Sequence, residues 1–505
     1  MRNRDHTITQ VWAAQSDAAH RATTPRDDLL TERADGDHSF AQAHGPFHSY
    51  RRVLTTAGDP SSGTVTETIT YRLRVPWFGW LFAWPVRRTL RNRRPDGARS
   101  PWWAPPDQLN ERQVRTLGLL AMASVSAAFA NTLFTQTATF VADDFGVSSK
   151  ALGAAGAVVR LGVVIAMPFA LMADRVGRRR TIVLLAWLTP VLCAIGAVAP
   201  TFSLLVASQT VGRPLGIALA LLAGVAAAEE MPKSSRAYAV SVLAMAAGFG
   251  AGVAVMALKL TDLGSSGWRL VYLVSLLWVP VAVSLSRHLL ETRRFETIHR
   301  IGPRMDRRRL MMIASVALLS NLFIAPASYF QNNYLDKVRG YSGGGIALFT
   351  LSTGTPASVG LIVGGHLADV VGRRRLIAIC TPISTLFVVA AFMVSGGSMW
   401  LASLGGGLLG GMAYPAFAVY RAELFPTGNR STANGLVTTT ALLSGSVGIL
   451  LVGILRDHGW SYGAAMALTA VAQMASIAIA FVYYPETAHL ELEQLNPDDP
   501  AVTPR

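Results

Sequence analysis

Ala170-Leu-Met-Ala-Asp174-Arg175-Val-Gly177-Arg178-Arg179-Arg180 closes one long apolar run and opens another. The construction returns as Gly365-His-Leu-Ala-Asp369-Val-Val-Gly372-Arg373-Arg374-Arg375, with the two aspartates 195 residues apart. A charged turn repeated between apolar runs marks an internal duplication. Working outward from these turns, twelve apolar runs appear, six between 116 and 288 and six between 310 and 484. About twenty residues at 1.5 Å rise cross a hydrocarbon core of about 30 Å, and in lipid such single runs must satisfy their own backbone as helices. The predicted fold is all-α and integral to a membrane: twelve transmembrane helices in two pseudo-symmetric six-helix bundles, preceded by a polar extension.

The duplication extends beyond the turns. Glu229-Glu230-Met-Pro232-Lys-Ser-Ser-Arg236 matches Glu423-Leu-Phe-Pro426-Thr-Gly-Asn-Arg430, Gly267-Trp268 matches Gly459-Trp460, Leu290-Glu291-Thr292 matches Pro485-Glu486-Thr487, and Gln136 matches Gln331. Half of the residues are hydrophobic (51%) and only 15% are charged, although 1–114 is polar and arginine-rich. The net charge of +15 could suggest nucleic acid, but most arginines lie in short loops beside apolar runs, so no nucleic-acid partner is expected. Cys193 and Cys380 fall inside apolar runs, with neither a disulfide framework nor metal-ligand spacing. No nucleophile–base pair, phosphate loop or cofactor motif stands out, so neither an enzyme nor a cofactor is expected.

Loop arginines set the orientation. With the amino terminus in the cytosol, the inner loops hold Arg175, Arg178, Arg179, Arg180, Lys233, Arg236, Arg373, Arg374, Arg375 and Arg430, with eight more arginines from Arg287 to Arg309. The outer loops hold Lys150, Lys259, Arg269, Lys337, Arg339 and Arg456, a ratio of three to one. Both termini are expected in the cytosol of a bacterium, with the chain in the inner (plasma) membrane.

The extension reads in two parts. Residues 1–46 lack periodicity and are expected to be an unstructured cytosolic tail. Residues 47–114 are expected to hold a β-hairpin, with β-branched alternation from Thr64 to Val75 after a turn at Gly58–Gly63. Next come Pro76-Trp77-Phe78-Gly79-Trp80-Leu81-Phe82-Ala83-Trp84-Pro85-Val86, a row of arginines, and Trp102-Trp103. Aromatic and basic residues together suit the headgroup layer, so 76–104 either lies on the cytosolic membrane face or packs against the protein. The remaining divisions are a first bundle over 115–290, a cytosolic linker over 291–309, a second bundle over 310–485 and a cytosolic tail over 486–505.

Over residues 115–490 these motifs resemble the major facilitator superfamily. Gly365, Asp369, Gly372, Arg373 and Arg374 fit its loop motif, and the first copy departs by having Ala170 in place of the leading glycine, which should loosen helix packing there. Glu423-Leu-Phe-Pro426-Thr-x-x-Arg430, Pro485-Glu486-Thr487 and Gly212-Arg213 look like the sugar-porter and metabolite–proton symporter branches. Residues 76–104 are similar to a segment of actinobacterial members, which adds lineage and no substrate. The resemblance implies alternating access. Asp174, Gly177 and Arg178, with Asp369, Gly372 and Arg373, would brace the cytosolic helix ends as a conformational gate. Glu229 or Glu230 with Arg236, and Glu423 with Arg430, would join that network.

Two charges lie inside the spans. Arg160 and Arg213 each cost about 2.5–3.5 kcal/mol at a helix centre unless partnered. In sugar porters the Gly-Arg arginine pairs with an acid of the first span; here that span offers Asn131 and Gln136, with no carboxylate at depth. An anionic substrate is one reading, and a structural arginine bonding backbone carbonyls is the other. Asn131, Gln136, Asn321 and Gln331 either bond substrate along the pathway or join helices. The expected function is a secondary active transporter of a small metabolite, an organic anion, coupled to protons and monomeric in the bilayer. The alternatives are an exporter of drugs or toxic compounds, and a non-transporting sensor or scaffold that uses the extension.

Overall fold

A computed structural model describes all residues except 1–4, 58–62, 95–99, 102, 148, 298–304 and 498–505. Trp102, Arg300, Arg304 and most of the Gly58–Gly63 turn therefore lie outside the described residues. The chain divides into two compact units, Met1–Leu119 and Leu120–Arg505.

In the first unit, β1 (His6–Ala13), β2 (Thr31–Ala34), β3 (Ser39–His44), β4 (Phe47–Ala57) and β5 (Thr64–Leu73) form one antiparallel sheet in the order β1-β5-β4-β3-β2. The expected hairpin is the β4–β5 pair, in register from Tyr50↔Tyr71 to Ala57↔Thr64. Where composition predicts an unstructured tail over 1–46, the chain instead supplies three strands and the helix α1 (Asp17–Ala22).

The physical reason is that charged residues occupy inward positions of the sheet. Arg52 is fully buried and bonds Glu32 at 2.6 Å and Glu67 at 3.3 Å, while the Tyr50 hydroxyl donates to Glu32 at 2.6 Å. Buried charges survive only when paired and hydrogen-bonded, and here they are. The same residues read one by one look like solvated loop. Helix α2 (Gly79–Arg91) covers the sheet with Val86 and Leu90, which pack with Ile8, Leu30, Phe47 and Ile69.

The second unit holds the membrane region, apart from the first turns of the first span, which belong to the first unit. Among the described residues, twelve helical segments are long and apolar enough to cross a membrane. The first six are Glu111–Ala138, Ala154–Val176, Arg178–Val198, Phe202–Glu230, Lys233–Thr261 and Trp268–His288. The second six are Arg307–Lys337, Leu348–Val370, Arg373–Ala391, Gly396–Glu423, Thr427–Asp457 and Tyr462–Tyr483. Large aliphatic side chains such as Leu401 are exposed, as expected where the solvent is lipid.

Glycines set the closest crossings, and they do so in matching pairs. A Cβ on Gly250 of the fifth span would strike the Val125 carbonyl of the first, and one on Gly448 of the eleventh would lie 2.5 Å from the Leu322 carbonyl of the seventh. Without a hydrophobic drive between helices in lipid, such small-residue contacts bring backbones into dispersion range.

Candidate functional site

Each charged turn meets the opposite bundle. The second span ends at Gly177, whose φ of +119° is a conformation that side chains oppose. The third span starts at once, and the Glu291 carboxylate accepts the backbone N–H groups of Arg178 and Arg179, both at 3.0 Å. A carboxylate on the first free amides of a helix satisfies orphan donors and the positive end of its dipole.

Asp174 reaches across to the other bundle. It accepts from the Ser431 and Thr432 amides at 3.1 and 2.8 Å and from the Thr432 hydroxyl at 2.7 Å, capping the eleventh span. Arg178 lies 3.1 Å from both Asp174 and Glu229, and Arg430 lies 2.8 Å from Glu229. The Thr292 hydroxyl donates to the other Glu229 oxygen at 2.7 Å.

The second copy repeats the design with the bundles exchanged. Gly372 has φ +114°, and Glu486 accepts from the amides of Arg373 and Arg374. Asp369 accepts from Ala237 and Tyr238 at 3.2 and 2.9 Å, capping the fifth span. Arg373 lies 3.0 Å from both Asp369 and Glu423, and Arg236 lies 3.4 Å from Glu423. The copies differ in completeness, because the Glu423 Oε2 and Thr487 Oγ1 atoms are buried with no hydrogen-bond partner.

The charged residues expected in the gate fall into two clasps, one at each charged turn, but the partners differ from expectation. Glu229 takes Arg178 and Arg430, and Glu423 takes Arg373 and Arg236, so each glutamate bonds the partner bundle's arginine rather than the one a few residues downstream. Glu230 accepts instead from the Arg293 amide. Sequence reasoning placed Glu291 and Glu486 in the duplication without assigning them a role; their repetition after each bundle was the available signal. It missed the strap from 489 to 496 altogether: Glu493 bonds Arg294 at 2.8 Å, Leu490 accepts from Arg236 at 3.0 Å, and Asn496 donates to the Glu423 carbonyl at 2.8 Å.

The expected loosening at Ala170 does not occur. In one pair Gly365 lies against Ser241, 2.5 Å from where its Cβ would be. In the other, Ala170 supplies the Cβ and Gly435 the space, with 3.1 Å between the Ala170 Cβ and the position a Gly435 Cβ would take. The glycine has moved to the facing helix, so the close approach is kept.

The polar residues of the spans separate into two groups. A cavity of about 630 Å³ is lined by the second bundle, including Asn321, Gln331, Thr381, Gln473 and Arg421. Its size suits a small molecule. The Thr381 Oγ1 and Gln473 Oε1 atoms are buried with no partner, and no carboxylate is in its described lining. Arg160, Arg213, Asn131 and Gln136 are not in that lining. Arg160 lies 5.7 Å from the Tyr329 ring of the seventh span. Arg213 Nε and Asn131 Oδ1 are buried without partners. Among the described residues, neither arginine has a carboxylate in ion-pair range.

Comparison with known proteins bears on the family and the fold. The family model described as Major Facilitator Superfamily matches residues 120–302 and 310–502. A metabolite transport protein of Haemophilus influenzae is 27% identical over 349 residues, 63% of this chain and 82% of that protein. The cis,cis-muconate transport protein of Acinetobacter baylyi is 25% identical over 214 residues, 38% of this chain and 51% of its own length. The structure of the proton:xylose symporter XylE, bound to 6-bromo-6-deoxy-D-glucose, superposes with a TM-score of 0.66 at 17% identity, over 76% of this chain and 98% of that one.

Proposed function

The chain belongs to the major facilitator superfamily, and we propose that it moves a small organic anion by proton-coupled alternating access. A multi-pass membrane transporter of the sugar or metabolite type is the established frame. The anion reading is carried by Arg160 and Arg213, two guanidiniums within the spans with no carboxylate in ion-pair range among the described residues. Keeping two cations at depth within the spans with no counter-charge costs several kcal/mol, which a carboxylate substrate would offset. Separately, Arg421 lines the cavity of the second bundle, which has no acid in its described lining. The relative named for cis,cis-muconate handles an anion of this class, and the XylE neighbour is named for proton symport.

The clasp supplies the moving part. It joins the bundles at the end bearing the charged turns, so that end is closed here and must open in the other half of the cycle. By the arginine asymmetry this end faces the cytosol of a bacterial inner membrane, with both termini on the same side.

Uptake of cis,cis-muconate and simpler dicarboxylates into proteoliposomes, with and without an inward proton gradient, tests the reading. Arg160→Gln and Arg213→Gln should each reduce anion uptake at least tenfold with little change in folding. Unchanged uptake by both variants, or uptake indifferent to the gradient, would remove the anion or the proton from the account.

A further inference from the structure

The first unit carries a surface that transport does not use. Helix α2 has two faces. Phe82, Val86, Thr89 and Leu90 face the sheet, with Val86, Thr89 and Leu90 buried. On the opposite side, at helical spacing, stand Trp80, Leu81 and Trp84 and then Arg87, Arg88 and Arg91. Trp80 and Trp84 are each 68% exposed, and Trp77 just before the helix is 44% exposed. The Arg88 guanidinium lies 5.3 Å from the Trp84 ring. An aromatic cluster of this size left in water is costly, and soluble surfaces rarely keep one without an occupant.

We infer that this face of α2 lies on the surface of the same bilayer that the spans cross, bound to anionic lipid. Three observations favour that occupant. Indole rings prefer the headgroup layer, and three of them project from one short segment. The arginines that continue the face have no carboxylate in ion-pair range among the described residues, which complements an anionic lipid surface. Only the residues from 92 to 110 separate α2 from the start of the first span at Glu111, so the bilayer is the nearest apolar phase to this helix along the chain.

The test uses the full chain in lipid nanodiscs. Trp80→Cys and, separately, Trp84→Cys are labelled with an environment-sensitive dye; both native cysteines are buried, so the dye reports the new site. Ala34→Cys, on an exposed sheet position, is the control. Replacing a third of phosphatidylcholine by phosphatidylglycerol should shift the emission of both helix labels to the blue and cut their quenching by aqueous iodide severalfold. The control should not move. Each surface arginine contributes about a fivefold gain in occupancy, so Arg87→Glu, Arg88→Glu and Arg91→Glu together should abolish the lipid dependence. So should high salt. Labels equally quenched in both lipids would overturn the inference, because the face would then stay in water. Labels equally shielded in both lipids and in the charge-reversed variant would also overturn it, because protein and not lipid would be the cover.

Discussion

At the residue scale, the geometry turns on who supplies the missing Cβ. The Gly365–Ser241 contact and the Ala170–Gly435 contact are the same junction with the small residue on opposite helices. Gly435→Ser should therefore overpack the junction against Ala170 and Met167 and destabilise the protein by about 1–3 kcal/mol. Adding Ala170→Gly should restore most of that loss, a coupling that a double-mutant cycle of thermal unfolding in nanodiscs would measure. Additive losses would mean that the two positions do not share the contact. Asp174 acts at the same scale by capping a helix of the other bundle with both oxygens. Asp174→Asn keeps one acceptor and loses the charge, so it should leave expression intact and stop uptake.

At the element scale, helix ends carry the charge and the two clasps are unequal. Glu229 has both oxygens engaged, by Arg178, Arg430 and Thr292, whereas one Glu423 oxygen lacks a partner. Glu229→Gln should cost about 3–5 kcal/mol, because it leaves buried guanidiniums under-compensated. Glu423→Gln should cost less, and the midpoints of paired denaturation curves would rank them.

The sheet of the first unit has its own acid limit. Burial alone would raise the Asp28 carboxyl, but the hydrogen bonds and charge of Arg26 hold it below its ordinary value. A depressed folded value contributes stability above the unfolded value of about 3.9, and that contribution fades as pH falls through the folded one. Asp28→Asn should flatten this acid-side loss, as read by circular dichroism of the strands or by exchange of their amides.

At the scale of the whole molecule, function requires the clasp to come apart. Ser234 and His489 sit on opposite sides of the junction, 3.1 Å apart. Ser234→Cys with His489→Cys should form a bridge on oxidation that holds this end closed. Uptake should stop and return on reduction, and full transport by the bridged protein would contradict alternating access through this end.

Much of this was legible in the chain because it is local and repeated. The twelve spans, the duplication, the two turns and the glycines that permit them follow from apolar run length, from spacing and from the demands of φ. Tertiary structure alone decided three other things. It decided which glutamate meets which arginine, since the two copies offer chemically identical partners and only the packing of the bundles selects the crossed pairs. It decided that residues 6–44 fold, because Arg52, Glu32 and Glu67 neutralise one another across strands and so hide the alternation that marks a sheet. It also divided the polar residues of the spans, lining a cavity of the second bundle with Asn321 and Gln331 and leaving Arg160, Arg213, Asn131 and Gln136 out of it, because side chains on the same helix face different neighbours and periodicity does not say which.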